Sequence, residues 1–183
     1  MTIGGVSEKP GRYQRSTNGL VGALVVTLLA VGVFWTVRSL VRTEVEVEPE
    51  PVDYAESVEA ARGAGFDVVA PVGLPEGWIA TAIDLTQTDP PAWGMGVLTA
   101  EDKFVGLRQE AESVDDLVEA NIDEDAVEGE PLTLDSAVGE TWQTWTDEGG
   151  DTGYSIEYAD ETLLVYGSAP PGDLQRFIAL LER

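Results

Sequence analysis

The stretch "TGYSIEYADETLLVYGSAPPGDLQRFIALL", Thr152–Leu181, carries three elements whose order decides the fold. In its first part Tyr154, Ile156 and Tyr158 alternate with Ser155 and Glu157, the period-two pattern of a strand over Gly153–Ala159 with one face buried. The next strand, Thr162–Gly167, contains "LLVY", apolar at consecutive positions. Both of its faces must therefore be covered, which places it centrally in a sheet. Pro171 and Gly172 then open a helix in which Leu174, Phe177, Ile178 and Leu181 fall at i, i+3, i+4 and i+7, one apolar stripe.

Upstream the same logic yields more strands than helices. The spacing predicts strands near Glu130–Leu134 and Val138–Thr146, and a hairpin of Gly94–Thr99 and Lys103–Glu110 joined through "AED". A strand over Trp78–Leu85 follows the turn residues of "GLPEG", with Ile79, Ile83 and Leu85 on one face and Ala80, Ala82 and Asp84 on the other. A short strand, Phe66–Ala70, precedes it. Ser113 and Asp116 open a second helix with Val114, Leu117 and Val118 apolar. Asp53 and Glu56 open the first, with Tyr54, Ala55, Val58 and Ala61 on one face and Gly63 as its stop. The order helix, strands, helix, strands, helix predicts an α+β domain over residues 53–183, with a mainly antiparallel sheet and about three helices. About 130 residues suffice for one core, and Trp78, Trp93, Trp142 and Trp145 are expected in it rather than on a carbohydrate platform.

The first 52 residues read differently. Residues 16–37, "STNGLVGALVVTLLAVGVFWTV", are 22 positions without a charge, and about 20 span a bilayer's hydrocarbon core. Phe34 and Trp35 stand near the far end, where aromatic rings favour the interface. Residues 1–15 form a short basic tail with Lys9, Arg12 and Arg15, against Arg38 and Arg42 beyond the span, so the tail is expected in the cytoplasm and the domain outside. The apolar run exceeds the 7–15 residues usual in a signal peptide, and "RSLVRTEVEVEPEP" offers no clear small-x-small cleavage site, so an uncleaved anchor in the lipid bilayer is expected. Residues 38–52, rich in glutamate and proline, read as an extended, self-repelling linker.

Charge and composition exclude several chemistries. Residues 1–42 carry a net +4 and residues 43–183 a net −28, together the −24 of the whole chain. Such an acidic domain repels nucleic-acid phosphates, so no nucleic acid is expected as a partner. The chain has no histidine and no cysteine. Imidazole-based triads, thiolate nucleophiles, disulfides and the usual zinc sites are excluded.

Three stretches imitate known sites. In "NIDEDAVEGEPL" Asn121, Asp123 and Asp125 take positions 1, 3 and 5 of a calcium loop, but Ala126 stands where glycine is needed and Leu132 where a bidentate glutamate is needed. Asp151-Thr152-Gly153 is the aspartic-protease triplet, yet two glycines precede it where an apolar strand belongs, so it reads as a hairpin turn. "GGVSEKPG" near the amino end lacks the ending of a phosphate loop. With 33 acids in residues 43–183, a carboxylate pair at glycosidase separation arises by chance and selects nothing. No catalytic, cofactor-binding or metal-binding residue is nominated on these grounds.

"VVAPVGLPEGWIATA", "WGMGVLTAEDKFVGLRQ", "GETWQTW" and "LLVYGSAPPGDLQRFIALL" occur in that order after one membrane segment. Together they resemble the DUF4245 family of membrane-anchored actinobacterial proteins over about residues 54–183. The resemblance implies an envelope location and a small α+β domain, and it brings no catalytic residues. The expected function is that of a single-pass envelope protein whose outer domain binds or scaffolds an envelope protein or ligand without catalysis. The alternative is an envelope hydrolase using carboxylates, which a deep pocket holding a buried acid would favour.

Overall fold

The computed structural model describes residues 50–183. The expected tail at 1–15, the apolar segment at 16–37 and the linker as far as residue 49 lie outside the described residues. Among the described residues no helix is long and apolar enough to cross a membrane.

Helix α1 spans Tyr54–Gly63. Asp53, in extended backbone, caps it by accepting a hydrogen bond from the Ala55 N–H at 3.1 Å. It ends at Gly63, as expected, and the left-handed residue that closes the turn after it comes two residues later. Gly65 takes φ +92°, its N–H donates to the Arg62 carbonyl, and the Phe66 N–H donates to the Ala61 carbonyl. That pair of bonds satisfies the last carbonyls of the helix and requires a left-handed residue, the role glycine fills at least cost. Val58 and Ala61 are buried and Tyr54 partly so, whereas Ala55 is exposed, which narrows the expected apolar face.

The strands are β1 (Ala70–Pro71), β2 (Ile79–Thr86), β3 (Ala92–Leu98), β4 (Phe104–Glu110), β5 (Val127–Glu128), β6 (Leu132–Thr133), β7 (Thr141–Thr146), β8 (Thr152–Tyr158), β9 (Glu161–Gly167) and β10 (Leu181–Glu182). Helix α2 (Val114–Asn121) follows β4, and α3 (Pro171–Ile178) follows β9. The main sheet runs β2-β3-β4-β9-β8-β7-β5, with β6 also on β7, and each neighbouring pair is antiparallel. The α+β class with three helices and a mainly antiparallel sheet holds for the described domain.

Strand β9 lies at the centre of this order, as its doubly apolar sequence requires. Leu163 and Val165 belong to the large core with Val58 and Ala61 of α1 and Leu174, Phe177 and Ile178 of α3. Leu164 belongs to a second cluster with Leu117 and Val118 of α2 and with Trp145. Two helices thus cover one face of the sheet and α2 covers the other, with Ser113 capping α2 through the Asp116 N–H at 3.2 Å. The four described tryptophans are all buried.

Four expectations shift. In β2 the register slips between Ala80 and Ala82, so the bulge puts Ala80 on the core side with Ile83 and Leu85 and releases Ile79 from it. Of the predicted strand Glu130–Leu134 only Leu132–Thr133 forms, as β6; β5 precedes the predicted range, and the two short pieces lie along β7 on either side of Gly129–Pro131. Only Ala70 of the predicted Phe66–Ala70 strand is in a ladder, and its partner is β10. The last helix ends at Ile178, and fully buried Leu181 lies in β10 opposite Pro71. Leu181 was expected on the helical stripe; the core takes it as apolar area, and a strand delivers it there as well as a helix.

Candidate functional site

An open groove of ≈ 430 Å³ lies at one end of the sheet. Its walls come from three loops: the end of α1 with Phe66 and Asp67, the β2–β3 connection from Thr86 to Pro91, and the β8–β9 turn from Tyr158 to Glu161. Each wall has a local cause. Gly65 turns the chain out of α1, the β2–β3 connection lies beyond the last ladder pair Thr86–Ala92, and Ala159 closes the β8–β9 turn with φ +55°.

Asp67, Asp89, Asp160 and Glu161 bring four carboxylates to the groove, and its lining contains no lysine or arginine. The first three are exposed and Glu161 is half-buried. Glu161 is tied into the fold: the Gln109 Nε2 donates to its Oε2 at 2.6 Å and to the Asp67 carbonyl at 2.9 Å. Gln109 Oε1 in turn accepts from the Val69 N–H at 2.8 Å. A fully buried glutamine thereby fixes the Asp67 and Glu161 walls against each other.

Tyr158 forms part of the apolar lining with Phe66, Leu85 and Pro91. It is 7% exposed, and its hydroxyl is buried without a hydrogen-bond partner. Burial holds its pKa above the ordinary tyrosine value; Arg183 opposes this by its charge and by its closeness as a donor to the hydroxyl, while the charges of Asp67 and Glu161 reinforce it. The Arg183 guanidinium carbon stands 4.9 Å from the centre of the Tyr158 ring. Arg183 is thus the ring's own cation–π partner.

The stretches that imitate known sites fall elsewhere. Val127 and Glu128 of the calcium-loop lookalike lie in β5, and Leu132 lies in β6, so the segment is drawn out along β7 instead of wrapping an ion. Asp123 Oδ1 accepts from the Asp125 N–H, a local turn. Asp151 sits in the β7–β8 hairpin, where its N–H donates to Asp147 Oδ1 at 2.7 Å and its carbonyl accepts from the Asp147 N–H. Gly150 takes φ +96° there, and Thr152 and Gly153 enter β8. The lining residues of the groove were not nominated from sequence. One signal was available: in "FVGLRQE", Gln109 continues the inward alternation of Val105 and Leu107, a polar residue aimed at the core.

The profile of the family described as "Protein of unknown function (DUF4245)" matches residues 12–181. No curated protein matches the chain. Among solved structures, "The complex structure of Pseudomonas aeruginosa MucA/MucB" is similar at 12% sequence identity and a TM-score of 0.33. The alignment covers 62% of this chain and 34% of that one, so the chain spans about a third of that chain's length.

Proposed function

The chain belongs to the DUF4245 family, and we propose that it is a single-pass membrane protein whose acidic domain lies outside the cytoplasm and serves as a binding or scaffolding module. One observation carries the reading. An uncharged run of 22 residues separates a basic tail from a segment, residues 38–183, with 33 acids and seven bases. The short loop with Lys9, Arg12 and Arg15 is the one retained inside, against Arg38 and Arg42 beyond the run, and the acids add little to the orientation.

Binding without catalysis is supported by what lines the groove. Three of its carboxylates are exposed, and the fourth is engaged by Gln109. The walls hold no base or nucleophile of the imidazole or thiol kind, because the chain has none. A shallow acidic recess with an aromatic wall suits recognition of a cationic group.

Reporter fusions after Arg183 test the placement. Alkaline phosphatase fused there is expected to be active and a cytoplasmic fluorescent reporter dark. The reverse pattern contradicts the proposal.

A further inference from the structure

We propose that the free edge of β2, over Ala82–Thr86, docks an extended segment of a partner protein as an added strand, one in which basic and apolar residues alternate. The inference deepens the binding-module reading and rests on it. The measurement below is made on isolated protein, so its failure leaves the membrane placement standing, and the reverse also holds.

The two edges of the main sheet are built differently. At one end β7 carries β5 and β6, each of two residues and separated by Gly129–Pro131. Very short strands, a proline and acids such as Glu128 and Glu130 blunt an edge against further pairing. At the other end β2 runs for eight residues. After the bulge between Ala80 and Ala82, the stretch Ala82–Thr86 stays in unbroken register with β3. It contains no proline and no lysine, and its one charged residue, Asp84, is paired with Arg108 at 2.8 Å. Alternate residues there turn N–H and carbonyl groups away from β3, and among the described residues no strand pairs with them. The edge already accepts extended chain at its upstream end, where the Val52 N–H donates to the Ala80 carbonyl at 2.8 Å.

Side chains and charge specify the occupant. Ile83 and Leu85 pack half-buried against the large core and leave apolar area that alternate residues of an added strand would cover. Ala82, Asp84 and Thr86 are exposed. The intervening residues of the added strand therefore stand beside Asp84, whose side chain remains 64% exposed despite Arg108. Opposite charges on neighbouring strands attract and like charges repel. A second copy is disfavoured on that ground. Antiparallel pairing of Ala82–Thr86 with itself sets Asp84 opposite Asp84 of the other copy, between segments that each carry 33 acids and five bases over residues 43–183. A strand with lysine or arginine beside Asp84 and apolar residues beside Ile83 and Leu85 fits both faces.

The test uses the full chain in non-ionic detergent micelles at about 0.1 M salt, where surface charges more than about 10 Å apart are largely screened. The probe is the peptide acetyl-Lys-Val-Lys-Val-Lys-Val-Lys-amide, and the readout is amide hydrogen exchange with affinity from the same titration. The outward amides within Ala82–Thr86 are expected to exchange fast in the chain alone and to slow when the peptide is added. Two further peptides separate a ladder from attraction to an acidic surface. One is N-methylated at every valine and the other at every lysine. A strand turns alternate N–H groups to its neighbour, so one of the two is expected to bind at least about tenfold more weakly and the other to stay within about threefold of the parent. The analogue with glutamate in place of every lysine is expected to bind at least about tenfold more weakly than the parent. Equal affinity of the two N-methylated peptides, equal affinity of the glutamate analogue, or protection spread over α2 and the other acidic surfaces would each overturn the inference. So would outward amides of Ala82–Thr86 that are slow before peptide is added: in a chain that sediments as a dimer they assign the edge to a second copy, and in a monomer they show it already occupied.

Discussion

Gln109 Nε2 lies 2.6 Å from Glu161 Oε2, joining the buried interior of β4 to the first residue of β9 at the groove wall. The same amide group also meets the Asp67 carbonyl and the Val69 N–H. Gln109→Leu keeps the volume and strands these groups. We expect a loss of about 2 kcal/mol or more in urea unfolding, the scale for buried polar groups left unpaired. Gln109→Glu sets two carboxylates against each other at neutral pH, and its deficit relative to the parent should shrink as pH falls towards about 4 and the pair shares a proton. A loss below about 0.5 kcal/mol for Gln109→Leu, the level of an ordinary surface change, contradicts the tie.

Tyr158 gives the fold an alkaline limit. Burial is the main cause of its raised pKa, so the neutral phenol is favoured in the folded state. A group raised on folding holds its full stabilisation below the unfolded pKa of about 10 and loses it as pH climbs through the folded value. Tyr54 shifts the same way, through burial and then Asp53. The melting temperature is expected to fall from about pH 10 upward, and Tyr158→Phe to flatten that fall in part. Parallel curves for the two proteins between about pH 9 and 11.5 rule out the buried phenol.

Two glycines should respond in opposite directions to alanine. Gly167 ends β9 at φ +141°, and a Cβ there would collide with the Phe104 carbonyl oxygen. Gly167→Ala is expected to cost about 2 kcal/mol or more, through strain and displacement of β4. Gly63 closes α1 with open space around it. Gly63→Ala is expected to stabilise by about 0.5–1 kcal/mol. Thermal unfolding of both variants checks the pair, and equal effects contradict the assigned backbone roles.

Unpaired acids dominate the surface. Among the described residues the ion pairs are those of Arg108 with Asp84 at 2.8 Å and Glu110 at 3.7 Å. Repulsion between the rest weakens the compact state and is screened over about 10 Å at 0.1 M salt. The melting temperature is expected to rise by several degrees between about 0.01 and 0.2 M sodium chloride, and equally in potassium chloride. A flat or falling response in both salts contradicts this.

The elements that were legible in the sequence are those with a long, unbroken period. "LLVY" marked β9 as central, and the caps Asp53 and Ser113 set the starts of α1 and α2. Illegible features depended on partners distant in the chain. The bulge in β2 follows from its pairing with β3, and β10 exists because Leu181 meets Pro71 across the whole domain. The groove is likewise a product of three turns brought together, and none of Asp67, Asp89 or Glu161 stands out among 33 acids. Tyr158 was visible as an inward residue of its strand, but the missing partner of its hydroxyl is a property of the packed interior alone.

Single-cysteine labelling tests the placement of the acidic domain most directly, because the chain has no cysteine to remove. Val72, which is 65% exposed, and Ser7 of the basic tail are replaced one at a time. Intact cells are then treated with a membrane-impermeant maleimide. The account predicts that Val72→Cys is labelled in intact cells and Ser7→Cys only after the membrane is opened. Labelling of Ser7→Cys in intact cells, with Val72→Cys protected until lysis, would contradict it.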